Sequence, residues 1–240
     1  MRNKKGTILH YQNNELIITI DGPAGAGKST VAKILAQRLG YRYINTGDLY
    51  RYVTYCALQK NLDVRNSELM DHLSKNIVDQ FIKKNQHEHN LVVLFDQEDT
   101  ILDKIHSPEI DKNVSIVAQI PSVRKNLVSL QRLLAKKRSV VMEGRDIGSV
   151  ILPNADLKFF LVADEQIRII RRYKELQEKG YPIPFQEVKA EIIKRDHFDS
   201  QRKIAPLTIP KDAITVDTSH KNINDIIKTI LKIVQKRERE

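Results

Sequence analysis

The residues whose types and spacing most clearly suggest a chemical role are GPAGAGKS, from Gly22 to Ser29. This order fits the phosphate-loop pattern G-x-x-x-x-G-K-[ST], in which glycines let backbone N–H groups turn toward an anion. Lys28 would place its charge against the β- and γ-phosphates of a nucleoside triphosphate, and the Ser29 hydroxyl would ligate the Mg²⁺ that bridges them. The sequence therefore predicts a triphosphate site formed by Gly22, Pro23, Ala24, Gly25, Ala26, Gly27, Lys28, Ser29 and Thr30.

The flanking residues supply the strand and the helix that such a loop needs. The apolar run from Leu16 to Ile20 predicts a buried strand. Apolar residues at helical spacing predict a helix that begins at Lys28 and stops at Gly40. The N-terminal dipole of that helix would favour a bound phosphate. Because a glycine-rich turn alone is a weak signal, it is this strand, loop and helix context that favours nucleotide binding.

Strand and helix patterns alternate along most of the chain, which predicts an α/β fold with crossover helices on a central parallel sheet. Further strands are predicted at 41–44, 139–142, 157–162 and 213–217, and a last amphipathic helix at 223–234. Ligands of open parallel sheets bind beyond the carboxyl ends of the strands. The sequence Glu143-Gly144-Arg145-Asp146 lies at such an end and is therefore a candidate binding segment.

A helix-rich block at about 66–125 interrupts this alternation. It contains a predicted helix around 69–81, a predicted strand at 91–95, and predicted helices that begin at Pro108 and Pro121. We expect the block to be a subdomain inserted into a single domain at 15–240, after a polar N-terminal extension at 1–14.

Composition narrows the class of protein. The 240 residues hold 40 Lys and Arg against 30 Asp and Glu, a net charge of +10. This excess could indicate nucleic-acid binding, but the basic residues are interspersed with acidic ones, so a surface that attracts anionic nucleotides explains it equally well. The single Cys56 excludes an internal disulfide and suits a reducing cytoplasm. We expect a cytoplasmic protein with no membrane span or secretory signal, in which His87 and His89 are surface residues.

Arginines in or beside the predicted sheet-end loops are the second candidate site. Several convergent guanidinium groups would position and stabilise a charged phosphoryl group during transfer. Taken singly, Arg171 and Arg172 could equally be solvated helix residues. The candidate residues are Arg51, Arg145, Arg171, Arg172, Arg195 and Arg202.

The motifs together resemble the bacterial cytidylate kinases, of the P-loop nucleoside monophosphate kinase group. The resemblance covers nearly the whole chain after the N-terminal extension, in the family's order and spacing. It is carried by ITIDGPAGAGKST at 18–30, NTGDLYR at 45–51, VSIVAQIPSVRKNL at 114–127, EGRDIGSVILP at 143–153, RRYKELQEKG at 171–180 and RDHFDSQRKIAPL at 195–207.

The resemblance implies a fold and a set of roles. The fold is a P-loop three-layer α/β architecture with the inserted monophosphate-binding subdomain and a helical lid at about 171–199. The positions that hold the acceptor phosphate are matched by Thr46, Arg51 and Arg145, and those that contact the cytosine by Ser115, Arg124 and Asp146. Asp199 matches a position near the ribose, and Arg195 and Arg202 match positions at the phosphates. The residues expected to act in catalysis are Lys28, Arg145, Arg171, Arg195 and Arg202.

The chain departs from the family pattern at several positions within these motifs and in the inserted block. Asp48 stands where Ala or Ser is common, His106 where Arg is common, and Asn45 and Glu143 where Asp is frequent. A carboxylate at Asp48 is unfavourable beside an acceptor phosphate unless it points away or caps the helix. We interpret it as a helix cap.

The resemblance implies an enzyme that transfers the γ-phosphoryl group of ATP, with Mg²⁺, to CMP or dCMP. The acceptor phosphate oxygen is already ionised at pH 7, so no general base is required. We expect a monomer with small-molecule substrates and no nucleic-acid or membrane partner. One alternative is a kinase of the same architecture for UMP or a small-molecule hydroxyl, and another is a nucleotide-switched nucleic-acid-binding module.

Overall fold

Five parallel strands form the central sheet, in the order β2-β3-β1-β4-β5. They belong to a computed structural model that describes residues 15–84, 99–136 and 139–238. The predicted parallel sheet is confirmed, with β1, the strand before the phosphate loop, at its centre. The strands are β1 (Ile17–Asp21), β2 (Arg42–Asn45), β3 (Val140–Gly144), β4 (Leu157–Val162) and β5 (Ile214–Asp217).

Helices cover both faces of this sheet and connect its strands. Helix α1 packs with the C-terminal helix α9 on one face, and the other face is covered by α2, α3, α5 and α6. The helices are α1 (Lys28–Leu39), α2 (Thr46–Gln59), α3 (Ser67–Lys84), α4 (Asp99–Ile105), α5 (Pro108–Val117), α6 (Pro121–Lys136), α7 (Glu165–Glu178), α8 (Phe185–Gln201) and α9 (Ile223–Glu238).

Alternation along the strands divides the apolar interior into two clusters. On β3, Val141 joins the cluster with α1 and α9, whereas Val140 and Met142 join the cluster on the opposite face. On β1, Ile18 and Ile20 are fully buried on the α1 side. Successive side chains of a strand point to opposite faces, so both faces of these central strands must be apolar. In the strand predicted at 16–20, Ile17 packs against the cluster on the other face, and the buried Thr19 is a polar exception.

Helix α2 begins earlier than the apolar pattern indicated. The pattern places its start near Leu49, but the helix starts at Thr46, and Asn45 is the N-cap. The Asn45 side chain accepts a hydrogen bond of 3.0 Å from the backbone N–H of Gly47. The interpretation of Asp48 as the cap is therefore wrong, because Asn45 already fills that role and Asp48 lies in the first turn.

Two short elements were not predicted from the sequence. Helix α4 lies in a stretch before Pro108 for which no helix was predicted, and a π-helical turn at Ile147–Ile151 follows β3. The predicted strand at 91–95, the pair His87 and His89, and the extension at 1–14 lie outside the described residues. Among the helices in the described ranges, none has the length and apolar character needed to cross a membrane.

Candidate functional site

A cavity of about 940 Å³ lies beyond the carboxyl ends of the strands. The phosphate loop forms one wall, and the arginine-bearing segments form the others. The structure brings into this single cavity every residue that the sequence proposed for the acceptor, which are Thr46, Arg51, Ser115, Arg124, Arg145, Asp146, Arg195, Asp199 and Arg202. From the phosphate loop, Ala24, Gly25, Gly27, Lys28, Ser29 and Thr30 also line it, whereas Gly22, Pro23 and Ala26 do not.

The phosphate loop is held from within and from two neighbouring elements. Lys28 donates from Nζ to the carbonyl of Pro23 at 2.8 Å, which closes the loop on itself. Arg168 on α7 donates to the carbonyl of Ala24 at 3.0 Å, and the Thr218 hydroxyl donates to the carbonyl of Ala26 at 3.0 Å. Hydrogen bonds within the protein therefore hold the phosphate loop in its shape.

Lys28 lies in a strongly cationic environment. Its burial, with the nearby charges of Arg145 and Arg195, lowers the pKa of the Lys28 ammonium well below the ordinary value, and Glu143 opposes that shift. Convergence of these cations on one point is unfavourable by itself. It becomes favourable when a polyphosphate lies among them.

Ser29 and Glu143 supply the oxygen atoms that could hold Mg²⁺. The Glu143 carboxylate accepts a hydrogen bond of 2.5 Å from the Tyr43 hydroxyl and another from Ser29. Burial raises the pKa of Glu143, and the neighbouring Lys28 opposes that rise. A hydroxyl and a carboxylate suit this hard cation. Within the described ranges no three His, Cys, Asp or Glu side chains converge as a metal cluster.

On the acceptor side, carboxylates hold the arginines in place. Arg145 donates from Nε to Asp199 at 2.7 Å. Arg51 donates to the carbonyl of Ile105 at 3.0 Å and to Asp111 at 2.5 Å. Arg195 lies 3.4 Å from the same Asp111 carboxylate. The guanidinium groups are thus fixed from behind while their cavity-facing sides remain available.

The pocket proposed for the base is built around Asp146. Arg124 pairs with one oxygen of this carboxylate, and Arg202 lies 3.2 Å from the other. The Arg124 guanidinium also lies over the Tyr50 ring, 5.7 Å from its centroid, and donates to the carbonyl of Ala118 at 3.2 Å. These contacts set the direction in which donors and acceptors face the cavity.

Two of the departures from the family pattern, Asp48 and His106, contact each other on the cavity wall. His106 Nε2 lies 3.0 Å from Asp48 Oδ1, and both residues line the cavity. The carboxylate expected to cap α2 therefore faces an imidazole instead. The pair joins the first turn of α2 to the end of α4.

Arg171 and Arg172 are adjacent on α7 but contact different partners. Arg171 donates to the Thr218 hydroxyl at 3.1 Å and to its carbonyl at 2.5 Å, beside the phosphate loop. Arg172 instead contacts Asp111 on the acceptor side. Consecutive helix residues diverge by about 100°, so two adjacent arginines can contact different walls of the cavity.

Sequence reasoning missed Asp111 and Arg168 and left Arg172 undecided. One signal was present for Asp111, since it precedes Ser115 by one helical turn and so shares its face of α5. No local pattern marks Arg168, because its partner in the phosphate loop lies 144 residues away along the chain.

A phosphate loop after the central strand, facing an arginine-rich pocket across one cavity, defines a P-loop phosphotransferase. The family model described as cytidylate kinase matches residues 18–236, and the chain belongs to that family. The predicted resemblance is thereby confirmed.

Curated relatives match along nearly their whole length. The cytidylate kinase of Alkaliphilus metalliredigens is 46% identical, over 92% of this chain and 97% of the relative. That of Geobacillus sp. is 44% identical, over 93% and 98%, and that of Streptococcus mutans is 46% identical, over 91% and 95%. A solved gluconokinase from Sinorhizobium meliloti is similar with a TM-score of 0.49 and 13% identity, over 95% and 96%.

Proposed function

We propose that this protein transfers the γ-phosphoryl group of ATP to CMP or dCMP, giving ADP and CDP or dCDP. The observation that carries the proposal is a single cavity that holds both the phosphate loop and a pocket of Ser115, Arg124 and Asp146. A nucleotide switch needs only the first of these. A kinase that transfers a phosphoryl group from one nucleotide to another needs both sites within reach of each other.

The proposed reaction needs positioning and charge stabilisation. An ionised oxygen of the acceptor phosphate attacks the γ-phosphorus in line, and the bond to the β–γ bridging oxygen of ATP breaks. Lys28 and the arginines at 145, 171, 195 and 202 stabilise the charge that spreads over the transferred group. Thr46 and Arg51 orient the acceptor phosphate.

When bound, Mg²⁺ would neutralise charge on the β- and γ-phosphate oxygens. Ser29 and Glu143 are the residues that would hold it.

Base recognition is proposed for the pocket at Asp146. Its carboxylate accepts from the exocyclic amine of cytosine, while Arg124 and the Ser115 hydroxyl donate to the acceptor edge of the ring. Uracil presents a carbonyl oxygen where cytosine presents the amine, so Asp146 would disfavour UMP. We propose that Asp199, which pairs with Arg145, contacts the ribose.

The expectations about subdomains, oligomeric state, location and partners are also proposals. We propose that 66–125 is the monophosphate-binding subdomain, and that 171–199 closes as a lid to exclude water from the transferred group. We also propose that the protein is monomeric and cytoplasmic and has no nucleic-acid partner.

A coupled assay with ATP and Mg²⁺ tests the function. We expect transfer to CMP and dCMP and much less to UMP, AMP, dTMP and shikimate. Transfer to one of the other acceptors, with none to CMP or dCMP, would refute the proposal in favour of the alternative kinase. No transfer to any acceptor, with tight binding of DNA or RNA, would favour the nucleotide-switched module.

A further inference from the structure

One buried carboxylate joins three arginines from three helices. Asp111 on α5 contacts Arg51 of α2 at 2.5 Å, Arg172 of α7, and Arg195 of α8 at 3.4 Å. Asp111 is only 8% exposed, so solvent screens these contacts weakly. The core of the molecule and both helices of the predicted lid segment therefore meet at a single negative charge.

The arginines could not converge in this way without a counter-charge. Burial, together with the charges of Arg145 and Arg51, lowers the pKa of Arg195 to about 10. Burial alone would raise the pKa of Asp111, but Arg51, Arg172 and Arg195 together hold it well below its ordinary value. The carboxylate is thus ionised throughout the working range of an enzyme, and it offsets repulsion among the three guanidinium groups.

Asp111 acts from behind these arginines. Arg51, Arg172 and Arg195 line the 940 Å³ cavity, whereas Asp111 does not. It lines a separate small cavity on the other side of Arg172 and Arg195. A substrate phosphate in the main cavity would therefore meet the guanidinium groups and not the carboxylate.

We propose that Asp111 is a positioning residue for phosphoryl transfer, which holds Arg51, Arg172 and Arg195 in the arrangement that faces the acceptor phosphate and the transferred group. The inference rests on the proposed roles of Arg51 and Arg195. The proposal adds the residue that sets the geometry of these arginines and that links α2 and α5 to α7 and α8.

The test is Asp111→Asn, which keeps the side chain's size and removes its charge. We expect kcat to fall by about 10- to 100-fold, since displacing a preorganised donor costs somewhat less than the roughly 10²–10³ lost by deleting one. The KM for CMP should rise, because Arg51 loses its support. The KM for ATP should stay within about twofold of wild type, since Lys28 and the phosphate loop keep their own contacts.

The matched control is Glu109→Gln, which removes an exposed acidic charge from the same helix two residues away. It should leave both KM values and kcat unchanged. Asp111→Glu retains the charge but shifts the guanidinium groups by one methylene, and its kcat should fall between those of wild type and Asp111→Asn.

Three results would overturn the proposal. A folded Asp111→Asn with a lower unfolding midpoint but wild-type kcat would make the residue purely structural. A fall in the KM for CMP would mean that the carboxylate competes with the acceptor phosphate. If Asp111→Asn does not fold, a folded Asp111→Glu with wild-type kcat would also contradict a positioning role. Failure of the wild-type protein on CMP would instead refute the proposed function, and the variants would then be compared on whichever acceptor is used.

Discussion

At the scale of single residues, Asp146 combines two functions in one carboxylate. It neutralises Arg124 and Arg202, and it is the proposed acceptor for the cytosine amine. Removing the whole side chain would leave two buried guanidinium groups without their partner, which is strongly destabilising. A substitution that keeps the shape therefore separates base recognition from stability better than truncation does.

We expect Asp146→Asn to shift the choice of base. The Asn amide can donate from Nδ2 to the O4 of uracil, whereas its one uncharged oxygen accepts from the cytosine amine more weakly than the carboxylate does. The KM for CMP should rise by about 10- to 100-fold, the range for losing a hydrogen bond to a charged group, and the KM for UMP should fall. Steady-state kinetics with both acceptors at saturating ATP, and with ATP varied at saturating CMP, measure this. If only the KM for ATP changed, the assignment of Asp146 to the acceptor side would be wrong.

Asp21, at the end of β1, joins the central strand to the π-helical turn. Its two carboxylate oxygens accept from the backbone N–H groups of Ile147 at 2.9 Å and Gly148 at 2.7 Å. Burial raises the pKa of Asp21 from 3.8 to about 6, although both hydrogen bonds oppose the rise. The folded protein therefore binds a proton at this site more tightly than the unfolded chain does.

Asp21 should make the free energy of unfolding fall as pH increases between about 4 and 6. For a group with a raised pKa in the folded state, the stabilising contribution is complete below the unfolded pKa and is lost as pH passes the folded one. At 1.36 kcal/mol per pKa unit the loss is about 3 kcal/mol. Urea unfolding across this pH range gives the free energy of unfolding of wild type and of Asp21→Asn. The difference between the two isolates the contribution of Asp21, because the other titrating groups contribute to both proteins. A flat or rising difference would contradict the prediction.

At the scale of elements, glycine positions decide how closely α7 approaches the phosphate loop. Gly25 has a φ of +73°, and a Cβ there would lie 2.9 Å from the Cβ and carbonyl oxygen of Arg168. Gly40, at the end of α1, has a similar φ of +69°, but a Cβ added there would meet no neighbouring atom within 4 Å. Alanine at either site carries a similar backbone cost, of about 1 kcal/mol. Only alanine at 25 must also move a neighbouring helix.

We expect Gly25→Ala to raise the KM for ATP by at least about 10-fold, because displacing Arg168 releases its hydrogen bond to Ala24 and deforms the loop. Gly40→Ala carries the same backbone cost and should also lower the unfolding midpoint, but it should leave the KM for ATP unchanged. Thermal unfolding and ATP kinetics on both variants separate the two effects. Equal KM values would show that the contact with Arg168 does not shape the loop.

The same distinction between local and distant contacts explains what the sequence could predict. The strand, loop and helix at 17–39 are specified by neighbouring residues, so pattern and turn chemistry were sufficient. The Asp111 cluster was not predictable, because Arg51 and Arg195 lie 60 and 84 residues away from it along the chain. Asn45 and Asp48 show that prediction from sequence is limited even for local structure. Either residue could cap α2, and only the backbone conformation at the start of the helix decides between them.

At the scale of the whole molecule, charge is distributed unevenly between the surface and the cavity. The net charge of +10 comes from basic residues spread among acidic ones, whereas lysines and arginines outnumber carboxylates around the cavity. A cleft lined mainly by one sign of charge concentrates ligands of the opposite sign. Both nucleotides are anions, so the molecule as a whole favours their approach before any specific contact forms.

This field should make kcat/KM for CMP fall as salt is added. Between 0.01 M and about 0.1 M ionic strength the Debye length shortens from roughly 30 to 10 Å, which screens the distant charges but not the buried pairs of the site. We expect a decrease on the order of 10-fold in kcat/KM, with a much smaller change in kcat. Titrations with potassium chloride and potassium acetate distinguish screening, which is common to both salts, from specific binding of chloride. Parallel losses in kcat and kcat/KM would place the effect inside the cavity, and a constant kcat/KM would mean that the net charge plays no part in capturing the acceptor.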